Sequence, residues 1–278
     1  MPLPDFLGIG VQRAGTTFVH EALSEHPEIC TPDTKELHFF DWHHDRGLDW
    51  YEDQFAACEP SQVVGEVTPD YVASEDALDR IARTLPDAKL FLILRDPVDR
   101  AYSAYWLFKQ KRYPDASFEE AIEDDPDLLE RGEYADQVEQ LRARFDRDQL
   151  KVMFLDDMKD DDLAFVQELY RFLDVDDAFE PRTAGQSQNA LIFPRLQNAL
   201  RRVNLLWLKD VAKRIGLDEP VRRWHRSRSG SSYPPMDDAT EEALRRRFRG
   251  PDERLRELLD RPIPWRDECK ARGRSTDA

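Results

Sequence analysis

The stretch GIGVQRAGTT, Gly8 to Thr17, decides the fold. It joins a short apolar run, Phe6 to Gly10, to a segment from Thr16 to Ser24 whose apolar residues recur at three and four. That is a buried strand turning directly into an amphipathic helix. Gly10, four residues, Gly15, then Thr16 and Thr17 put small side chains where backbone N–H groups converge on an anion at a helix N-terminus. A loop of the ATPase kind needs a lysine directly after its second glycine to reach the terminal phosphates. Here that position is Thr16, and the cation lies inside the loop as Arg13. The loop therefore suits a phosphate without evident Mg²⁺ chemistry. Taken alone, the bland alternative is a glycine-bearing turn that binds nothing.

Outward from this loop the same alternation continues. Short apolar runs at Val63 to Glu66, Lys89 to Leu94 and Lys151 to Leu155 read as further strands. Helical periodicity marks Asp76 to Thr84, Val98 to Phe108, Tyr134 to Phe145, Leu163 to Leu173, Arg195 to Leu208 and Thr240 to Leu259. Strand, helix, strand without internal repeat predicts an α/β fold, P-loop-like, with a central parallel sheet flanked by helices. At 278 residues the chain is expected to form one domain, residues 1–278. The basic, Ser-rich segment Arg222 to Ser232, between the last two helical patterns, reads as a functional loop.

A second phosphate signal is LILRDPVDRAYSAYW, Leu92 to Trp106. Arg95 emerges at the carboxyl end of a strand, where open α/β sheets bind ligands, so it and the Arg13 loop should face one crevice. Ser103, two turns into the following helix, is placed to turn back toward Arg95. Arginine plus hydroxyl makes a compact clamp for a phosphate. The competing interpretation is that Asp96-Pro97 only starts a helix while Arg95 makes a surface ion pair.

Composition narrows the function classes. A net charge of -17 repels a phosphate backbone, which argues against nucleic acid as partner. Acidic runs such as Asp160-Asp161-Asp162 fit either a salt-adapted, halophilic protein or ordinary solvated faces. Cys30, Cys58 and Cys269 are odd in number and lack C-x-x-C spacing, so neither a disulfide framework nor a zinc site is expected, and a reducing, cytoplasmic setting fits. No apolar run is long enough to span a bilayer, and no signal peptide is evident. His38, His43 and His44 show no metal-ligand spacing, so no metal is expected.

With KELHFFDW, Lys35 to Trp42, these motifs resemble the sulfotransferases that use 3′-phosphoadenosine 5′-phosphosulfate (PAPS), most closely the heparan sulfate glucosaminyl branch. The likeness extends through ALSEHPEI, GLDWYEDQF and EVTPDY, weakens, and returns at SGSSYPPMD and PIPW. It implies that Arg13, Ala14, Gly15, Thr16 and Thr17 bind the 5′-phosphosulfate, Arg13 standing where the family usually has lysine. It implies that Arg95 and Ser103 hold the 3′-phosphate, and that Arg228, Ser229, Gly230 and Ser231 belong to a loop closing over that end. By the same resemblance Glu36 falls on the general-base position of the heparan sulfate enzymes, and His38 and Asp41 match residues beside the acceptor. Alone, Glu36 reads as a surface carboxylate and His38 as a structural histidine. Two departures concern the acceptor and the cofactor loop. Val67 replaces a lysine used near an anionic sugar chain, and Ser229 and Ser231 replace common cations. The acceptor is therefore expected to be a glycan, glycolipid or other small polar molecule other than heparan.

Such a transfer spreads charge over sulfonate oxygens in an in-line transition state, so positioning and cationic stabilisation should dominate. Glu36 would take the acceptor's proton and Arg13 would stabilise the departing phosphate. The rival activities are a P-loop kinase or NTPase, which would need Mg²⁺, and a non-catalytic glycan-binding protein on the same scaffold.

Overall fold

The computed structural model describes residues 3–185 and 233–266. The unit considered below comprises Met1–Ala184 with Met236–Ala278. Its centre is a five-stranded sheet of β1 (Phe6–Gly10), β2 (Ile29–Cys30), β3 (Val63–Val67), β4 (Lys89–Leu94) and β5 (Leu150–Phe154). The order is β2-β3-β1-β4-β5, and every pairing is parallel. All five residues of β1 are buried, as a strand covered on both faces must be. Because β1 lies between β3 and β4, the chain leaves it in one direction for β2 and β3 and later in the other for β4 and β5. A crevice opens at the carboxyl end of a strand in that position.

Helices α1 (Thr16–Glu25), α2 (Leu48–Asp53), α3 (Glu75–Thr84), α4 (Pro97–Phe108), α5 (Phe118–Asp124), α6 (Asp127–Glu130) and α7 (Tyr134–Arg142) follow the chain through β4 and beyond. After β5 come α8 (Leu155–Asp160) and α9 (Asp162–Phe172), then α10 (Asp238–Arg247) and α11 (Arg249–Leu259). Their starts are encoded locally. Ser74 caps α3 by accepting from the Ala77 amide at 3.2 Å. Asp96 caps α4 by accepting from the Val98 and Asp99 amides at 2.9 and 3.4 Å, with Pro97 in the first turn, where no amide is needed. Strands Phe6–Gly10 and Lys89–Leu94 fall where expected, and the other predicted strands and most helices agree within a residue or two.

Three expectations are corrected. The helix expected from Tyr134 to Phe145 ends at Arg142. The pattern Thr240 to Leu259 is two helices that meet at Phe248. Pro251 explains the break, because it lacks an amide hydrogen and its ring would collide with the carbonyl four residues earlier in a continuous helix. The third concerns cysteine. Cys30 at the end of β2 and Cys58 before β3 form a disulfide with Cα atoms 5.6 Å apart. Between them the chain makes an excursion and returns to where it left: the Val63 amide donates to Glu28 O at 2.8 Å, and Gln62 Nε2 donates to Pro27 O at 3.1 Å. Two cysteines far apart in sequence thereby become neighbours. The expected helix Arg195 to Leu208 and the basic loop to Ser232 lie outside the described residues.

Candidate active site

The first functional loop leaves β1 at Gly10 and enters α1 at Thr16. Gly15 has φ 84°, a conformation that a Cβ disfavours, and a Cβ there would stand 2.2 Å from the Met158 side chain. Glycine is therefore required where the loop turns its amides into the helix N-terminus. The Val11 amide donates to Ile93 O at 3.0 Å, tying the loop to β4.

From the neighbouring strand end Arg95 crosses to this loop: its Nη1 donates to Arg13 O at 2.9 Å. Arg95 O accepts from the Tyr134 hydroxyl at 2.9 Å, which fixes the backbone from which the side chain springs. Arg13 Nε donates to Ser103 Oγ at 2.9 Å. Arg13, Arg95 and Ser103 thus come together at the carboxyl ends of β1 and β4. Arg95 Nε is buried and has no hydrogen-bond partner among the described residues. A buried guanidinium donor without an acceptor is costly, and an anionic oxygen would satisfy it. The surface ion pair that was the alternative for Arg95 is absent among the described residues. Asp96 does start a helix, and its other oxygen accepts from Arg245 at 2.8 Å. Burial, then the neighbouring Asp96, pushes Asp99 up to about 6. With Asp96 committed to a helix cap and an arginine, it is poorly placed to serve a metal ion as a Walker-type carboxylate does. No cluster of potential metal ligands occurs among the described residues.

The second half of the site is the irregular segment Lys35 to Trp42. Glu36 and His38 both have positive φ, 60° and 51°. Such backbone persists in side-chain-bearing residues only where the surroundings hold it. What holds it is Glu66 on β3, a fully buried carboxylate. Glu66 accepts from Thr68 Oγ1 at 2.6 Å, Tyr71 Oη at 2.8 Å, Tyr51 Oη at 2.9 Å and the Leu37 amide at 3.3 Å. Burial raises its pKa, and these four donors pull the other way. Tyr71 Oη in turn accepts from the Phe39 amide at 2.9 Å, and Arg80 donates to Phe40 O at 2.7 Å. The segment is therefore pinned from behind at Leu37, Phe39 and Phe40, while Glu36 stays half-buried and His38 is itself covered.

Glu36 is in contact with Lys35 Nζ. His38 Nδ1 bonds Asp41 Oδ2 at 2.8 Å, and its ring stacks on Trp42 with centroids 3.7 Å apart. Burial works to lower the His38 pKa, but the bond to Asp41 and the charges of Asp41, Asp70 and Glu36 outweigh it, so the net direction is upward from 6.5. A histidine whose folded pKa is raised contributes stability that is complete below 6.5 and fades as pH rises through the folded value. Asp41→Asn is accordingly expected to lower the His38 imidazole pKa measured by NMR. It should also cost more stability near about pH 6 than near about pH 8. An unchanged His38 titration would mean that the pair is not formed in solution.

Sequence reasoning missed two groups here. Glu66 and its donors Tyr51, Thr68 and Tyr71 were not singled out, although EVTPDY holds three of the four. His20 is the other. Its Nδ1 is buried without a hydrogen-bond partner among the described residues, and its pKa is lowered by burial and then by Lys35, with Glu36 opposing. The signal available was its position four residues after Thr16, on the same face of α1 as the loop threonine. The residues Arg228, Ser229, Gly230 and Ser231 lie outside the described residues.

Comparison with known proteins is consistent with this geometry. Residues 3–249 match the family model described as a sulfotransferase domain. The chain is 30% identical to the bifunctional heparan sulfate N-deacetylase/N-sulfotransferase 4 of Mus musculus, covering 94% of this chain and 31% of that protein. It is 37% identical to the membrane-associated sulfotransferase kil1 of Dictyostelium discoideum over 46% of this chain and 29% of that one. A crystal structure of a sulfotransferase from Alicyclobacillus acidocaldarius superimposes with a TM-score of 0.72 at 23% identity, covering 95% of this chain and 98% of that one, and so shares its fold. The chain spans less than a third of the length of these two curated relatives.

Proposed function

The chain belongs to the sulfotransferase domain family, and from that premise we propose that it transfers a sulfuryl group from PAPS to a hydroxyl or amine of a glycan, glycolipid or other small polar acceptor. The observation that carries most weight is the junction of Arg13, Arg95 and Ser103 at the carboxyl ends of β1 and β4, with the buried Arg95 Nε lacking an acceptor. That orphaned donor, the amides converging at Gly15 and a third cationic or hydroxyl group within reach fit a nucleotide carrying several phosphate oxygens. When bound, PAPS supplies the activated sulfuryl group and a phosphate leaving group. Arg13 remains cationic at any working pH, so it offers charge and hydrogen bonds to the departing phosphate but no proton. Glu36 takes the acceptor's proton, its carboxylate oriented by Lys35. His38, steadied by Asp41 and Trp42, provides a polar edge on the acceptor side. Val67 is buried in the core, so the cation that the heparan sulfate branch carries there has no counterpart. This supports an acceptor less anionic than heparan.

Calorimetric titration with 3′-phosphoadenosine 5′-phosphate, and separately with ATP plus Mg²⁺, tests the cofactor class without an acceptor. The bisphosphate is expected to bind the parent chain and to lose at least tenfold in affinity in Arg95→Ala, since a charge-assisted contact is removed. Preference for Mg²⁺-ATP would replace the proposal with a nucleotide kinase or hydrolase.

A further inference from the structure

A cavity of about 200 Å³ lies apart from the crevice just described, between α7 and the end of α11 on one side and strands β4 and β5 on the other. Its floor is apolar, with Leu92, Val138, Val152 and Leu259 among the lining residues. Its remaining lining includes four cations, Arg142, Arg147, Lys151 and Arg261, and no carboxylate. In a chain of 57 acidic and 40 basic residues that selection runs against the overall charge.

Arg261 is the most informative of the four. Its guanidinium lies 4.1 Å from the Phe154 ring centroid, and its Nε and Nη2 are buried without hydrogen-bond partners among the described residues. The carboxylates whose field reaches it, Asp157 and Glu168, do not line the cavity, and Glu168 is in contact with Lys151. Arg142 and Arg147 form no ion pair among the described residues. Cations with no carboxylate among them, around a cavity with an apolar floor, define a ligand with two parts: one anionic head to meet the cations and an apolar body to cover the strands. The volume equals that of roughly six or seven waters, which sets the body at a short alkyl chain or one ring.

We propose that this cavity is a second binding site, specific for a small amphipathic monoanion in which a single carboxylate is attached to a compact apolar body. It does not depend on the proposed transfer reaction. The test uses hexanoate as probe, with 1-hexanol lacking the charge and acetate lacking the body, followed by calorimetry and by NMR saturation transfer on the full chain. Hexanoate is expected to bind saturably, acetate and 1-hexanol at least tenfold more weakly. Saturating 3′-phosphoadenosine 5′-phosphate should leave hexanoate binding unchanged. Arg261→Gln should weaken hexanoate at least tenfold. Arg142→Gln, at an exposed position, should weaken it severalfold, and Val138→Phe, which fills the cavity and keeps all four cations, should abolish it. The proposal is overturned by absence of saturable binding, by hexanol binding as well as hexanoate, by displacement with the nucleotide, or by indifference to both Arg142→Gln and Val138→Phe.

Discussion

Arg13→Ala is expected to reduce sulfuryl transfer by about 10²- to 10³-fold, the usual cost of deleting one preorganised donor aimed at developing charge. Arg13→Lys should retain activity within about tenfold, because an ammonium supplies the charge though not the planar fork. Three observations make the substitution clean. Arg13 is exposed, its φ of 74° is equally accessible to lysine and alanine, and its Nε donates to Ser103 Oγ at 2.9 Å. Loss of activity with unchanged thermal unfolding would therefore report on the reaction and not on the fold. The measurement is turnover with whichever acceptor the parent chain sulfates, alongside affinity for 3′-phosphoadenosine 5′-phosphate. Equal activity of the two variants would remove Arg13 from the transition state and leave it as a loop residue.

Opening the Cys30–Cys58 bridge should cost about 3.5 kcal/mol of folding stability. That is the chain-entropy value for a ring set by a sequence separation of 28. The ring encloses the whole segment from Lys35 to Trp42 together with α2, so the loss should fall on the acceptor side first. Denaturant unfolding of Cys30→Ala/Cys58→Ala, and of the parent chain with and without reductant, measures it. A thiol count supplies an independent check: of three cysteines, one should react before reduction and three after. Three reactive thiols in the untreated protein, with no stability change on reduction, would show that the bridge does not form in solution. A formed bridge belongs with oxidising surroundings, which removes the cysteine-based reason for expecting a reducing compartment.

The sheet was legible where an apolar run met glycine, charge or proline. Phe6 to Gly10 and Lys89 to Leu94 are continuous apolar strands, and Asp96-Pro97 announces a helix start by chemistry that needs no tertiary context. Strand β2 was not legible, because two residues carry no periodicity; it exists through pairing of Ile29 with Val63 and Cys30 with Val64. The arginine–serine clamp could be read because Arg13 and Arg95 follow strand ends and Ser103 lies two turns into the helix that starts at Pro97. The disulfide could not, since spacing along the chain says nothing about Cα separation. Glu66 illustrates the same limit for polar groups. A carboxylate within a strand run looks like a solvent-facing residue until Thr68 and Tyr71 fold back on it and Tyr51 arrives from α2 to close it off.

The Glu66 cluster also bears on motion. Residues 35–40 contain no regular helix or strand, and a segment of that kind ordinarily exchanges its amide hydrogens with solvent almost freely. Here the Leu37 and Phe39 amides end on a buried carboxylate and a buried phenol, so they are expected to exchange more slowly than the amides of an unsupported loop. Glu36 and His38, the residues proposed to meet the acceptor, thereby sit on backbone anchored between them and beyond them to the strand behind.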